Sequence, residues 1–236
     1  MAEALRQGKR MADEIRLAIY DMDRTVTRRA TYTPFLTYAA LRLNPLRLLF
    51  FPLVGLISLG YTFRLLDRAR LKEIMQALLL GPAVRPQRLA SVVEGFAERT
   101  VAKNLRPGAR ANLAQDKADG YALVLATASY KLYVDAIAAR LGFDHVIATG
   151  SLIGLDKRII ARIDGENCYG PGKMRMVLAW LRRQGIERER ARIRFYSDHV
   201  SDAPLFTWAD EPVAVNPHGP LHELARNMKW REVDWG

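Results

Sequence analysis

The chain has 236 residues, 50% hydrophobic and 26% charged, a balance that excludes disorder and suits one large domain or a core with an insertion. Its 36 Lys and Arg outnumber 25 Asp and Glu, for a formal charge of +11, which suits nucleic acid, an anionic lipid surface or phosphorylated substrates. No zinc-ligand spacing or RNA-recognition signature supports nucleic acid as a partner.

The first ten residues hold no apolar run of the signal-peptide type, and Cys168 is the only cysteine. Both fit a cytoplasmic protein without disulfides. The run Ile-Arg-Leu-Ala-Ile-Tyr at 15–20 predicts a strand ending at Asp21. Residues 30–104 then turn apolar, aromatic and arginine-rich with helical spacing, which predicts a helical cap inserted after the first strand. Within it, residues 48–63 form 16 positions without a charge, short of the roughly 18–20 that span a bilayer. Arg42 and Arg47 precede this segment, and Arg64, Arg68, Arg70 and Lys72 follow it. Such a pattern suits helices lying in a membrane interface, or a buried cap helix.

Pro107-Gly108 marks the return to the core, with a helix over 107–119 and an apolar strand over 121–126 ending at Thr127. A helix follows over 132–141, then a hairpin or irregular strands over 152–163. Gly170-Pro171-Gly172 leads into Lys173 and a helix over 174–184; it lacks the glycine span and following hydroxyl of a P-loop. Strands over 193–196 and 212–215 end just before Asp198 and at Asn216. Short apolar strands alternating with amphipathic helices predict an α/β protein: a Rossmann-like core with a parallel sheet, built from 1–29 and 105–236, around a cap at 30–104. In such sheets function gathers at the C-terminal strand ends, where Asp21, Asp23, Thr127 and Asp198 all fall.

Crowded carboxylates at strand ends are costly unless a cation or proton neutralises them. Asp21 is the candidate nucleophile, able to attack phosphorus and form an acyl phosphate. Asp23 is placed to protonate the leaving oxygen and then activate water. Asp198 joins Asp21 in holding Mg²⁺, which favours hard oxygen ligands. Lys173 adds a fixed positive charge, and Thr127 with the Ala128 amide can hydrogen-bond phosphate oxygens. Asp202 supports Lys173 or a metal-bound water. Singly, each piece also reads as a helix cap, a turn or a solvated charge; in this order, all at strand ends, they read as a site. His199 stands beside Asp198, while His145, His218 and His222 read as surface or core residues.

Asp21-Met-Asp-Arg-Thr-Val-Thr, Thr127-Ala-Ser, Lys173 and Ser197-Asp198-His-Val-Ser-Asp202 resemble the four motifs of the haloacid-dehalogenase-like phosphohydrolase superfamily, in its phosphoserine-phosphatase-like branch. The resemblance implies a Rossmann-like core, a helical cap between the first two motifs, and Mg²⁺ held by the side chains of Asp21 and Asp198 and the backbone carbonyl of Asp23. Two departures stand out. His199 and Ser201 occupy positions where the fourth motif usually carries a small residue and an asparagine. Arg28-Arg29 replaces the acidic residues that bind the amino group of phosphoserine, and an arginine pair welcomes a second anion instead. The cap resembles that of bacterial phosphatidylglycerophosphatase C, a lipid-phosphate phosphatase of the same branch.

The sequence thus predicts a Mg²⁺-dependent phosphatase with Arg28 and Arg29 at the substrate. Its expected substrate is a lipid or amphiphilic phosphate such as phosphatidylglycerophosphate, met at the inner membrane face. A phosphatase of a small soluble phosphate, or a membrane-associated binding protein without activity, are the alternatives.

Overall fold

The structure, a computed structural model, describes residues 14–236. Strand β1 (Ile15–Tyr20) is followed by helices α1 (Tyr32–Leu43), α2 (Phe51–Thr62) and α3 (Arg68–Leu79), the two-residue β2 (Ala83–Val84) and α4 (Pro86–Lys103). The chain continues through α5 (Pro107–Ala118), β3 (Ala122–Tyr130), α6 (Lys131–Leu141), β4 (His145–Ile153), β5 (Ile159–Asp164) and α7 (Pro171–Arg183). It ends with β6 (Ala191–Ser197), α8 (Ala203–Trp208), β7 (Glu211–Val215), α9 (Pro220–Met228) and β8 (Arg231–Val233).

The described strands form one sheet in the order β2-β5-β4-β3-β1-β6-β7-β8. From β4 to β8 every pairing is parallel, and β5 and β2 extend that edge antiparallel. This is the α/β architecture that the alternation of strands and helices predicts. Helices cover both faces, so the central strands are apolar on both sides. Leu17 and Ile19 of β1 pack with Val177 and Trp180 of α7, while Ala18 and Tyr20 join the core on the opposite face.

Tyr20 and Tyr196 are register partners on β1 and β6, and their rings stack with centroids 4.3 Å apart. Each stands just upstream of an acidic motif, so their pairing levels the strand ends that carry Asp21 and Asp198. The Asp21 amide donates to the Tyr196 carbonyl at 2.9 Å, which extends the ladder one residue beyond the strand.

Of helices α1 to α4, α4 packs on α6 and α3 packs on β5. Phe35 of α1 stacks on Tyr133 of α6 at 4.3 Å, and Phe96 of α4 meets both rings. Full burial of an aromatic side chain of this size stabilises by about 1.5–3 kcal/mol, so this trio pins the helical layer to the core. The contact is not purely helical: Ala83 and Val84 pair with Ile160 and Ile159, and strand pairing therefore also joins the two parts.

The apolar cap segment is exposed, not packed. Residues Pro45–Thr62 form an 18-residue stretch, long and apolar enough to cross a membrane by length and composition alone, and 6% of it is buried. Val54 is its buried residue, while Leu46, Leu49, Leu53, Leu56 and Leu59 face outward. We refer to this stretch as the arm. The helical path begins at Pro45, upstream of the uncharged run, and Arg47 within it folds back to donate to the carbonyls of Ala77 and Leu78 at 3.1 and 2.8 Å.

Candidate active site

Beyond β1 the chain makes one wide turn, Met22–Val26, closed by the Thr27 amide donating to the Met22 carbonyl at 2.9 Å. Arg24 takes φ +67° within it, a left-handed conformation costing on the order of 1–3 kcal/mol in a residue with a Cβ. The turn directs the side chains of Asp21 and Asp23 to a shared cavity and buries Thr25 behind them. Asp21 and Asp23 line a cavity of about 430 Å³ together with Thr127, Ala128, Lys173, Asp198 and Asp202.

Asp21 is buried, with Lys173 Nζ 2.7 Å from its Oδ1. The same ammonium lies 2.5 Å from Asp202 Oδ2, which also accepts from Ser197 Oγ at 2.7 Å. Lys173 occupies the first turn of α7, where the helix dipole disfavours a cation, so both carboxylates are needed to hold it. Gly172 permits the approach of that turn: a Cβ there would stand 2.6 Å from the Asn167 carbonyl. Burial would push the Lys173 pKa down, but the Asp202 and Asp21 charges outweigh it and the net shift is upward.

Burial pushes the Asp21 carboxyl up to about 7, opposed by Lys173 and reinforced by Asp202 and Asp198. Asp198 is also raised, chiefly by burial, against the hydrogen bond from Thr25. Thr25 joins the two acids: its hydroxyl lies 3.3 Å from Asp21 Oδ2 and 3.0 Å from Asp198 Oδ1, and it accepts from the Asp198 amide at 3.0 Å.

Asp23 is oriented from three directions. Its Oδ1 accepts from the Thr31 amide and hydroxyl, both at 2.8 Å, and its Oδ2 from Ser129 Oγ at 2.6 Å. Ser129 lies on β3 just past Thr127, where the register with β4 shifts. β3 therefore runs through the predicted end at Ala126 and carries Thr127, Ala128 and Ser129 over the site. Thr127 Oγ1 accepts from the Ser129 amide at 3.1 Å, and its own hydroxyl proton has no acceptor among the described residues. That proton is free for a ligand oxygen.

This donor set fits a hard divalent cation. Two buried carboxylates bracket one hydroxyl, burial raises the pKa of each, and Asp202 Oδ1 is buried without a partner among the described residues. Among the described residues no three His, Cys, Asp or Glu side chains form an all-protein cage, and Mg²⁺ needs none, since it commonly uses one or two carboxylates and keeps open positions.

Arg28 and Arg29, expected at the substrate, are not among the residues that line the cavity. Their backbone is tied to Asn104: the Arg28 amide donates to its carbonyl at 2.7 Å, and Arg29 exchanges bonds with its side chain at 3.0 Å in each direction. Their side chains are exposed where the chain returns to the core. The basic groups lining the cavity are instead Arg24, Arg68, Lys72 and Lys173.

Sequence reading also missed Thr25, Thr31, Ser129 and Lys72. Lys72 is buried on α3 and donates to the Ala128 carbonyl at 2.6 Å and Asn167 Oδ1 at 3.0 Å, tying α3 to the core. Burial, with Arg68 one turn away, lowers its pKa to about 7. A lysine spaced four residues from Arg68 was the available signal, but it reads equally as a solvated helix face. His199 and Ser201, the two departures in the last motif, bond each other at 2.8 Å and both line the cavity. Cys168 is a core residue whose thiol burial pushes up to about 12.

The haloacid dehalogenase-like hydrolase family matches residues 18–207. A histidinol-phosphatase from Neisseria meningitidis is 25% identical over 154 residues, covering 64% of this chain and 69% of that protein. The phosphoserine phosphatase SerB1 of Mycobacterium tuberculosis is 30% identical over 148 residues, 62% of this chain; the match spans about half of that protein, 47%. A crystal structure of a Bordetella pertussis protein of unknown function superposes with a TM-score of 0.84 at 27% identity, covering 94% of this chain and 100% of that one. The family match takes in the Asp21, Thr127, Lys173 and Asp198 segments alike, and the chain belongs to the haloacid dehalogenase-like hydrolase family, among its phosphatases.

Proposed function

We propose that the chain hydrolyses phosphomonoesters through a phosphoryl group carried on Asp21, and that its substrate is a lipid or amphiphilic phosphate such as phosphatidylglycerophosphate. Asp21 attacks phosphorus, forming an O–P bond as the ester P–O bond breaks. Asp23, held by Thr31 and Ser129, gives its proton to the departing alkoxide oxygen. It then takes a proton from the water that attacks the same phosphorus, releasing inorganic phosphate and restoring Asp21. Lys173 fixes Asp21 and offsets phosphate charge, and the Thr127 hydroxyl donates to a phosphate oxygen. Asp21, Asp198 and the Asp23 carbonyl would hold Mg²⁺, which when bound offsets the repulsion between carboxylate and phosphate. An intact acid pair with its lysine leaves little to favour a binding protein that has lost activity.

One observation carries the lipid reading: the exposed arm Pro45–Thr62 ends beside the cavity, whose lining includes Tyr61 and Arg68. An exposed apolar helix at the entrance suits a substrate whose phosphate enters the site while its acyl chains stay in a bilayer. On this reading the protein works from the cytoplasmic side, peripherally on the inner membrane face. The names of the relatives, phosphoserine phosphatase and histidinol-phosphatase, favour a second reading, a small soluble phosphate. A substrate panel separates them: phosphatidylglycerophosphate in detergent micelles, phosphoserine and a generic aryl phosphate. Lipid turnover at least tenfold above phosphoserine in kcat/KM supports the first reading, and the reverse order overturns it.

A further inference from the structure

A second cavity, of about 310 Å³, opens at the root of the arm, away from the catalytic aspartates. Arg47, Arg85, Arg88 and Arg158 line it with Asn44, and no carboxylate does. Arg47 is locked in place by the carbonyls of Ala77 and Leu78, and Gly81 packs against its guanidinium. A Cβ on Gly81, at φ +117°, would be strained and only 3.3 Å from Arg47 Nη2. Arg85 directly precedes α4 and Arg88 stands in its first turn, and neither has a carboxylate partner among the described residues. Arg158 pairs with Asp156 at 3.0 Å on the exposed rim. Like charges lining one cavity repel one another, and an anion between them would relieve that repulsion.

The arm leaves directly from this cavity. Arg47 is the sole charge in Pro45–Thr62 and turns inward, whereas Leu46, Leu49, Leu53 and Leu56 recur at helical spacing and are exposed. Apolar side chains and a guanidinium cluster thus lie side by side, as acyl chains and phosphate do at a bilayer surface. Arginine matches phosphate oxygens with paired N–H donors.

We propose that this arginine cavity is a binding site for the phosphate headgroup of an anionic membrane lipid, engaged while the leucines of the arm enter the bilayer. The proposal rests on the membrane-facing reading of the arm and adds to it a separate site that holds lipid without hydrolysing it. A soluble anion would not account for the leucines, and a purely apolar partner would leave the arginines uncompensated.

The test is sedimentation of the full chain with vesicles of neutral phosphatidylcholine, or of phosphatidylcholine mixed with anionic phosphatidylglycerol. Arg85→Gln/Arg88→Gln is compared with the wild type, with aryl phosphate turnover as the control for folding. Neither residue lines the catalytic cavity, so that turnover is expected to be unchanged. Two arginines near an anionic surface contribute an affinity factor on the order of 10–30-fold. The double variant is therefore expected to lose about that factor on anionic vesicles and none on neutral ones, and Leu49→Ser/Leu53→Ser/Leu56→Ser to lose binding to both. Unchanged binding by the arginine variant, or an equal loss on neutral vesicles, overturns the proposal. So does thermal stabilisation by inorganic phosphate that depends on these arginines in a protein that binds no vesicle. A dimer that dissociates in the leucine variant, again without vesicle binding, would make the arm an interface between copies. Lipid phosphate turnover in micelles is scored separately, so the cavity can fail while the substrate reading stands.

Discussion

Lys173 Nζ lies 2.7 Å from Asp21 Oδ1, linking residues 152 positions apart, one just past β1 and the other in the first turn of α7. The ammonium also holds Asp202 at 2.5 Å, so one buried cation fixes the proposed nucleophile and the support behind it. Removing it leaves two buried carboxylates without their counter-ion. Lys173→Met is expected to lower stability by about 3–5 kcal/mol, read by chemical denaturation, and to reduce turnover at least a hundredfold. Lys173→Arg should not rescue turnover, because a planar guanidinium on a longer stem does not reproduce the compact ammonium held between Asp21 and Asp202. Recovery by arginine would make the residue a mere source of charge.

Asp23→Asn separates proton transfer from architecture. The amide keeps an acceptor oxygen for Thr31, and the Ser129 hydroxyl can turn to accept from its NH₂ group. Stability is expected to change by less than about 1 kcal/mol while kcat falls by about 10²–10⁴, the usual contribution of a positioned acid-base group. Denaturation and steady-state kinetics on one preparation check both halves.

Thr25→Val removes the hydroxyl between Asp21 and Asp198 and leaves the buried Asp198 amide without its acceptor. The expected cost is about 1–3 kcal/mol. Chelation of divalent cations should abolish turnover and lower the Tm of the wild type, since a ligand bound only to the native state stabilises it. The valine variant should show a smaller Tm rise on adding Mg²⁺, which a melt series against Mg²⁺ concentration reads directly.

Lys72 gives stability a pH dependence with a definite sign. Burial holds its folded pKa near 7, below the ordinary 10.5. Between these values the unfolded chain binds a proton that the native protein does not, so stability rises with pH. That contribution is complete above about 10.5 and lost as pH falls toward 7. Lys72→Met removes the titration. The wild type should therefore gain stability over the variant as pH rises from 7 to 10, and a pH-independent difference in Tm would show that the amine is not depressed.

Much of this site was legible because parallel sheets place function at strand ends. Asp21, Thr127 and Asp198 each follow an apolar run, and the cavity brings all three together. The Gly170-Pro171-Gly172 turn flagged Lys173 by leaving Lys173 at a helix start. Charge near a motif says nothing of where a backbone is tied: that of Arg28 and Arg29 is held by Asn104, 75 residues away from Arg29. Thr25, Ser129 and Lys72 were illegible for a related reason. Their roles depend on partners such as Asp198 and Ala128, distant in sequence, that only the packed cap and sheet supply. The two-residue β2 and the start of β4 at His145 were likewise too short or too mixed to stand out as strands. The arm was visible as an apolar run, but its exposure depends on what α1 and α3 leave uncovered.

The most direct measurement is the search for a phosphoryl group on Asp21. Asp23→Asn, slowed in breakdown of the intermediate, is mixed with a ³²P-labelled aryl phosphate, whose leaving group departs without a proton from Asp23, then quenched in acid and digested. One label per chain is expected, sensitive to hydroxylamine, on the peptide containing Asp21, and absent from Asp21→Asn. Turnover with no trapped label, or label on any other residue, would contradict the account.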